Sequence, residues 1–158
     1  MKKGILTVVS LIGGAVLGTA VTGKIGKDKV VERDKLSEKH LTLYLMMNQW
    51  VKVKQRNKSI ADYLEKQGYK EIAIYGMNYV GETLLSELKD SNIKVMYGID
   101  RNAANIRSDI DIKTPDSELP MVDAIIVTAI TFFEEIEEKL YSKIDCPVLS
   151  MEDILYEI

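Results

Sequence analysis

The residues best suited to binding chemistry lie in one short stretch of the chain. Its six residues spell G-x-N-x-x-G, close to the dinucleotide-binding fingerprint G-x-G-x-x-G. When such a turn joins a buried strand to a helix, free backbone N–H groups and the helix dipole favour an anion such as phosphate. We therefore predict a phosphate-binding turn made by the following residues: Gly76, Met77, Asn78, Tyr79, Val80 and Gly81.

The departure from the fingerprint is Asn78, which stands where a glycine normally lets the backbone meet the pyrophosphate. Asparagine tolerates the left-handed conformation better than most residues, so the turn is compatible with it. Its side chain nevertheless takes up space where phosphates would lie. Two interpretations therefore stay open: dinucleotide binding, and a turn in which Gly76 and Gly81 serve only chain reversal and packing.

Three further candidates follow two later apolar runs. Asp100 comes about 20 residues after Gly81, at the end of the run 93–99, where the fingerprint places its ribose-binding carboxylate. A carboxylate there suits NAD or a nucleotide sugar, and the alternative is an acidic residue that only begins a turn. Arg101 is the group that would meet a 2′-phosphate, although the neighbouring Asp100 argues against it. Thr128 ends the run 124–127, and we predict that it lines the same crevice.

Groups for catalysis are scarce in this sequence. It has one histidine, His40, and one cysteine, Cys146, so a multi-cysteine metal site and a histidine-based centre lack their ligands and bases. No Tyr-x-x-x-Lys, Gly-x-Ser-x-Gly or Gly-Lys-Ser/Thr motif occurs. We therefore predict no catalytic residue and no metal ligand, and the sequence leaves open whether any reaction is catalysed.

Composition is that of a globular protein without a basic surface. The chain has 158 residues, 46% hydrophobic and 28% charged, with a formal net charge of −3. A net negative chain gives no general electrostatic attraction to nucleic acid, which we exclude as a partner.

The N-terminal residues predict a membrane anchor. The uncharged run 5–23 would span about 28 Å as a helix at ~1.5 Å per residue, close to the hydrocarbon core of a bilayer. Lysine and arginine are enriched after this run, which places the remainder in the cytoplasm of a single-pass membrane protein. A secretory signal peptide cleaved near 18–20 is the alternative, and it would make the protein secreted. A helix lying on the membrane surface is a third interpretation.

A helical linker is predicted next, because 30–56 contains no glycine or proline and its apolar residues recur at helical spacing. The apolar stripe consists of Leu36, Leu43, Met46, Met47, Trp50 and Val53. Packing of this helix on the following domain is our prediction, and a coiled coil in a homodimer is the alternative. Ser59 and Asp62 resemble a capping box that opens a second, short helix ending at Gly68.

The rest of the chain alternates between strand and helix. Strands are predicted at 72–75, 93–99, 110–112, 124–128 and 147–150, with helices at 80–89, 132–141 and 151–158. This alternation favours an α/β fold of the Rossmann-like class, a parallel sheet of about five strands in the order 3-2-1-4-5 with helices on both faces. The predicted organisation is therefore a membrane anchor at 1–23, a helical linker at 24–58 and the Rossmann-like domain at 59–158.

From Trp50 onward the sequence also resembles a known module. The stretches 72–76, 95–102, 122–128 and 148–155 are similar to the Rossmann-like module of bacterial capsular and surface polysaccharide biosynthesis proteins. The C-terminal domain of sugar C-methyltransferases is similar. That family usually has glycine at the position of Asn78. The resemblance implies a setting in envelope glycan synthesis, a nucleotide or nucleotide-sugar ligand, and a glycosyltransferase or methyltransferase domain as the usual companion of the module.

Three hypotheses about function follow. The first is a membrane-anchored cytoplasmic module that binds a nucleotide, NAD(P) or a nucleotide sugar, with a homodimer or a glycosyltransferase as its protein partner. The second is a small NAD(P)-dependent oxidoreductase or epimerase, against which stand the missing base and the absence of a substrate domain in 158 residues. The third is a non-catalytic scaffold whose nucleotide pocket is vestigial.

Overall fold

The computed structural model describes residue 33 and residues 36–158. The chain divides into two compact units, Met1–Leu43 and Tyr44–Ile158. The first unit is described only at residue 33 and over 36–43, which is helical. The predicted anchor at 1–23 lies outside the described residues. Within the described part of the chain, no helix combines the length and the apolar character needed to cross a membrane.

Two helices precede the sheet. Residues 36–55 are helical (α1), and Ile60–Gln67 form α2. The Ser59 hydroxyl accepts the Asp62 N–H at 3.0 Å, and Gly68 ends α2 in the left-handed conformation at φ +88°. The predicted start and stop signals of this short helix are thus both confirmed.

The second unit is built on a five-stranded parallel sheet in the order β3-β2-β1-β4-β5. The strands are Glu71–Tyr75 (β1), Lys94–Ile99 (β2), Ile112–Lys113 (β3), Ala124–Val127 (β4) and Val148–Ser150 (β5). Tyr79–Leu88 (α3) connects β1 to β2, Phe133–Tyr141 (α4) connects β4 to β5, and Met151–Glu157 (α5) follows. The α/β class, the parallel sheet and the strand order agree with the sequence-based prediction.

The connections from β2 to β3 and from β3 to β4 contain no α-helix, in agreement with the prediction, which placed no helix between 99 and 132. Only a 3₁₀ turn, Ala103–Asn105, interrupts the connection from β2 to β3, and β3 is just two residues long. A second 3₁₀ turn, Ile130–Phe132, precedes α4. The polar, glycine-free segment after β2 has no apolar stripe to pack on a sheet, which explains why it forms turns rather than a crossover helix.

Apolar side chains cover both faces of the sheet. Ile136 and Leu140 of α4 pack on a face that includes Tyr75, Tyr97 and Val127. Alternation along each strand points Ile72, Ile74 and Gly98 to the opposite face. The order of strands reverses at β1, so right-handed crossovers place α3 on that opposite face. The β1 and β4 strands are buried throughout their apolar runs, as central parallel strands require.

The part of α1 that belongs to the second unit, 44–55, packs on the other elements of that unit. Within 44–55, Met46, Trp50 and Val53 are buried. The indole N–H of Trp50 donates to a carboxylate oxygen of Glu87 in α3 at 2.7 Å, and the Gln49 side-chain amide donates to the Leu155 carbonyl at 3.0 Å. These contacts agree with the predicted packing on the domain. The predicted homodimer remains a prediction.

Candidate functional site

The turn after β1 is held in shape by Gly76. Its φ of +97° lies in the left-handed region, and its N–H donates to the Ile99 carbonyl at 2.8 Å. The buried hydroxyl of Thr128 contacts the turn from within, bonding the Gly76 carbonyl at 2.5 Å. A methyl group on Gly76 would come within 2.8 Å of that hydroxyl. Thr128 is fully buried, and its hydroxyl supports the turn from the protein interior.

The close approach between turn and helix depends on Gly81. A Cβ atom at this position would lie 2.2 Å from the Gly76 carbonyl oxygen, far inside van der Waals contact. Only a residue without a side chain lets the first turn of α3 settle against the end of β1. The sequence predicted this packing role for the second glycine, and the geometry agrees.

Asn78 takes a different conformation from the one its position suggested. Its φ of −90° and ψ of −165° are extended rather than left-handed. It is the N-cap of α3, and its side-chain oxygen accepts the Val80 N–H at 3.0 Å. A capping residue needs an extended backbone and a short polar side chain, which explains why asparagine fits here. The side-chain oxygen therefore takes one of the helix N-terminal N–H groups that a ligand would otherwise use.

Asp100 is turned inward onto the same turn. One carboxylate oxygen accepts the Met77 N–H at 2.9 Å and the other accepts the Asn102 N–H at 2.8 Å. The residue is half-buried at the end of β2. The predicted position of Asp100 directly after the second strand is confirmed, and its contact with a ribose stays a prediction. Each oxygen retains a second lone pair for a ligand hydroxyl, because a carboxylate offers about four acceptor positions.

Three N–H groups of the turn have no protein partner among the described residues: those of Asn78, Tyr79 and Gly81. They belong to the first residues of a ten-residue helix, where intrahelical acceptors are lacking. Tyr79 exposes its side chain to solvent, whereas Met77 and Val80 are buried. Of the six N–H groups of the turn, those of Gly76, Met77 and Val80 are thus held by the protein's own oxygens, and the other three have no acceptor among the described residues.

The crevice continues along the carboxyl ends of β4 and β5. A cavity of about 510 Å³ lies there, and its polar lining comes mainly from Thr131, Glu134, Glu135, Glu152 and Asp153. Sequence reasoning did not bring the four acidic members of this group together, because they follow different strands and share no motif. Arg101 is exposed at the end of β2, on the carboxyl edge of the sheet.

The single histidine and cysteine lie apart from this crevice. His40 is exposed on α1, and Cys146 precedes β5 at the amino edge of the sheet. Burial raises the pKa of the Cys146 thiol, with smaller contributions from Asp123 and Asp145, so the unreactive thiol form is favoured. Over the residues described, no three His, Cys, Asp or Glu side chains are grouped as metal ligands.

Comparison with known proteins gives no relative. No family model, curated protein or solved structure matches this chain.

Proposed function

We propose that this protein is a nucleotide-binding module that holds a nucleotide, NAD(P) or a nucleotide sugar at the carboxyl edge of its sheet. The phosphates would lie on the turn from Gly76 to Gly81, and Asp100 would accept a ribose hydroxyl. The observation that carries this proposal is that the N–H groups of Asn78, Tyr79 and Gly81 have no acceptor in the part of the chain that the structure describes. They lie where the strand order reverses between β1 and β4, the usual ligand position in open α/β sheets.

The cellular setting of the proposal comes from the sequence. The apolar run 5–23, with lysine and arginine following it, supports a membrane-anchored protein with its α/β unit in the cytoplasm. The resemblance of 72–76, 95–102 and 148–155 to modules of polysaccharide biosynthesis proteins supports a role beside the envelope-glycan machinery. A glycosyltransferase or a second copy of the chain is then the proposed protein partner.

A scaffold function is the second candidate, and one feature of the turn favours it. The oxygens of Asn78 and Asp100 already accept two of the N–H groups that a phosphate would use. A turn that satisfies itself in this way needs no ligand to be stable. The α/β unit would then serve as a support for assembly.

Thermal unfolding of the full-length chain in detergent micelles separates the candidates. We would add NAD⁺, NADH, NADP⁺, NADPH, UDP-glucose and UDP-glucuronate in turn. Binding at one hundred times the dissociation constant stabilises the folded state by about 2.7 kcal/mol. A rise in the unfolding temperature with any of these ligands supports nucleotide binding. Turnover of a bound cofactor would show in addition that the protein is an enzyme. No shift with any of them supports the scaffold.

A further inference from the structure

The side of α1 that faces away from the sheet carries exposed apolar residues. In the 44–55 part of the helix, Trp50 and Val53 are buried on the side that packs within the second unit. Tyr44, Leu45 and Val51 are 68%, 45% and 52% exposed, and the helical repeat places them on the opposite side. A helix with apolar residues on two opposite sides is typical of one that is covered on both. The described residues cover only one of them.

Two cations border these apolar residues. Lys52 and Arg56 are exposed, and their spacing from Leu45, seven and eleven residues, places them on its side of the helix. Neither side chain forms an ion pair or a hydrogen bond with any residue that the structure describes. Lys54 differs, because its ammonium group is bound to Glu87 at 3.0 Å. We call the side formed by the following residues the outward face of α1: Tyr44, Leu45, Val51, Lys52 and Arg56.

The charge of this segment argues against a second copy as the partner of the outward face. No aspartate or glutamate occurs in 44–61, although the whole chain has a formal net charge of −3. The basic residues of the segment are Lys52, Lys54, Arg56 and Lys58. A two-fold symmetric interface joins the same patch on both copies, so Lys52 and Arg56 would meet like charges and no carboxylate from this segment. Charge complementarity therefore favours an anionic partner.

An anionic lipid bilayer matches both the charge and the apolar residues. Lipid headgroups attract lysine and arginine near the surface, and the boundary of the acyl chains takes up the apolar side of a helix that lies in the membrane plane. Tyr44 suits this boundary, because its ring is apolar and its hydroxyl is polar. The phosphate backbone of a nucleic acid would pair the cations but would leave Leu45 and Val51 exposed. The anchor predicted at 5–23 would hold the outward face near a bilayer and raise its effective concentration there.

We propose that the outward face of α1 lies on an anionic lipid bilayer and thereby sets the orientation of the α/β unit at the membrane. This inference goes beyond the proposed function, because it does not depend on which ligand the crevice binds. The contact is separate from the predicted anchor, since it is made by the folded second unit. It also depends on lipid charge, which insertion of an uncharged segment does not.

Fluorescence quenching by spin-labelled lipids tests the contact on the full-length chain in nanodiscs. A fluorophore is attached at Leu45→Cys in a protein whose native thiol is removed by Cys146→Ala. The control label is placed at Tyr141→Cys, an exposed position in α4 on the other face of the sheet. In nanodiscs rich in phosphatidylserine, lipid quenching is expected at position 45 and not at position 141. In nanodiscs of phosphatidylcholine alone, quenching at position 45 should be much weaker.

A pair of charge variants tests the two cations. Lys52→Gln combined with Arg56→Gln should lower the ratio of docked to undocked protein on phosphatidylserine by about 25-fold, about fivefold for each charge. Lys66→Gln combined with Lys89→Gln removes the same charge at exposed positions outside the outward face and should leave quenching unchanged.

Three results would overturn the inference. The first is an absence of lipid quenching at position 45, and the second is equal quenching on neutral and anionic lipids. The third is self-quenching between labels at position 45 without quenching by lipid, which would assign the outward face to a second copy. None of these results bears on nucleotide binding, which the thermal unfolding experiment tests separately.

Discussion

At the scale of single residues, Asn78 decides how much of the turn is left for a ligand. Its side chain caps α3 and holds the Val80 N–H, so helix stability and ligand access compete for the same donor. Glycine at this position would give up the cap at a cost of only a few tenths of a kcal/mol. It would also free that donor, which is why the fingerprint prefers glycine where phosphates must approach closely.

Asn78→Asp separates these two roles. Aspartate caps a helix as well as asparagine does, and its charge at the N-terminus of α3 adds about 0.3–1 kcal/mol of stability. The same charge repels a phosphate, so nucleotide affinity is expected to fall about tenfold or more, roughly 1.4 kcal/mol. Urea unfolding and isothermal titration measure the two effects on the same protein. Asn78→Gly is the control and should bind at least as tightly as wild type; equal nucleotide binding by wild type and Asn78→Asp would argue against phosphate on this turn.

Gly81 tests the packing of the turn itself. A methyl group there meets the Gly76 carbonyl, a backbone atom that moves only if the turn opens. Gly81→Ala is therefore expected to lower the free energy of unfolding by about 3 kcal/mol, measured by urea denaturation. Gly68→Ala is the matched control. Its φ is positive, +88°, whereas Gly81 is helical, and no atom lies within 4 Å of the added methyl, so backbone strain alone should lower its stability by only about 1 kcal/mol. Similar losses in both variants would contradict the contact.

At the scale of elements, one carboxylate joins three helices. Glu87 of α3 accepts the Trp50 indole N–H of α1 and, at 3.2 Å, the Ile60 N–H that begins α2. Lys54 of α1 adds an ion pair at 3.0 Å, and the Glu87 side chain is only 10% exposed. The cluster explains how the 44–55 part of α1 is held against α2 and α3 within the second unit, a contact that the apolar stripe alone did not predict.

Glu87→Ala leaves the Trp50 and Ile60 donors without an acceptor, and we expect it to lower the free energy of unfolding by about 2–3 kcal/mol. Glu87→Gln keeps one acceptor oxygen and should fall between wild type and alanine. Trp50 is the single tryptophan of the chain, so its fluorescence during urea unfolding reports on this junction directly. Glu138→Ala, at an exposed site in α4, should change stability by no more than about 0.5 kcal/mol. A Glu87→Ala protein as stable as that control would show that the cluster contributes nothing.

Asp123 links the amino-terminal ends of the central strands β1 and β4 by hydrogen bonds. Its carboxylate accepts the Lys70 and Glu71 N–H groups at 2.7 and 2.8 Å, and these hydrogen bonds lower its pKa below the usual 3.8. Because the folded-state pKa is the lower one, the stabilisation is present above about pH 4 and is lost as pH falls through the folded-state value. Asp123→Asn should therefore unfold at a lower temperature than wild type at pH 7. Between about pH 5 and pH 3, its unfolding temperature should fall by less than that of the wild type. Parallel pH profiles for the two proteins would contradict this role.

The strands and helices were predictable where local pattern determines structure. The apolar runs gave β1, β2 and β4, and Ser59 and Gly68 bounded α2, because strand burial and helix caps depend on residues near in sequence. The hydrogen bond that Asp100 accepts from the Met77 N–H could not be predicted from the sequence, because it depends on how the ends of two strands lie side by side.

At the scale of the whole molecule, stability should be unequal across the sheet. The β1 strand is paired on both sides and β4 lies beside it, whereas β3 is a two-residue edge strand without a crossover helix before it. Cooperative opening of a fold begins where few buried contacts hold the backbone. The β3 edge is therefore expected to open locally while β1 and β4 open only with global unfolding.

Amide hydrogen exchange of the full-length chain measures this difference. Amides of β1 and β4 should exchange with an opening free energy equal to that of global unfolding by urea, and those of Ile112 and Lys113 should be less protected by at least about 1.4 kcal/mol, a factor of ten. Dilution provides the control, because protection given by the fold alone is independent of protein concentration. Strong protection of β3 that disappears on dilution would instead mean that a second copy covers this edge, which would favour the homodimer.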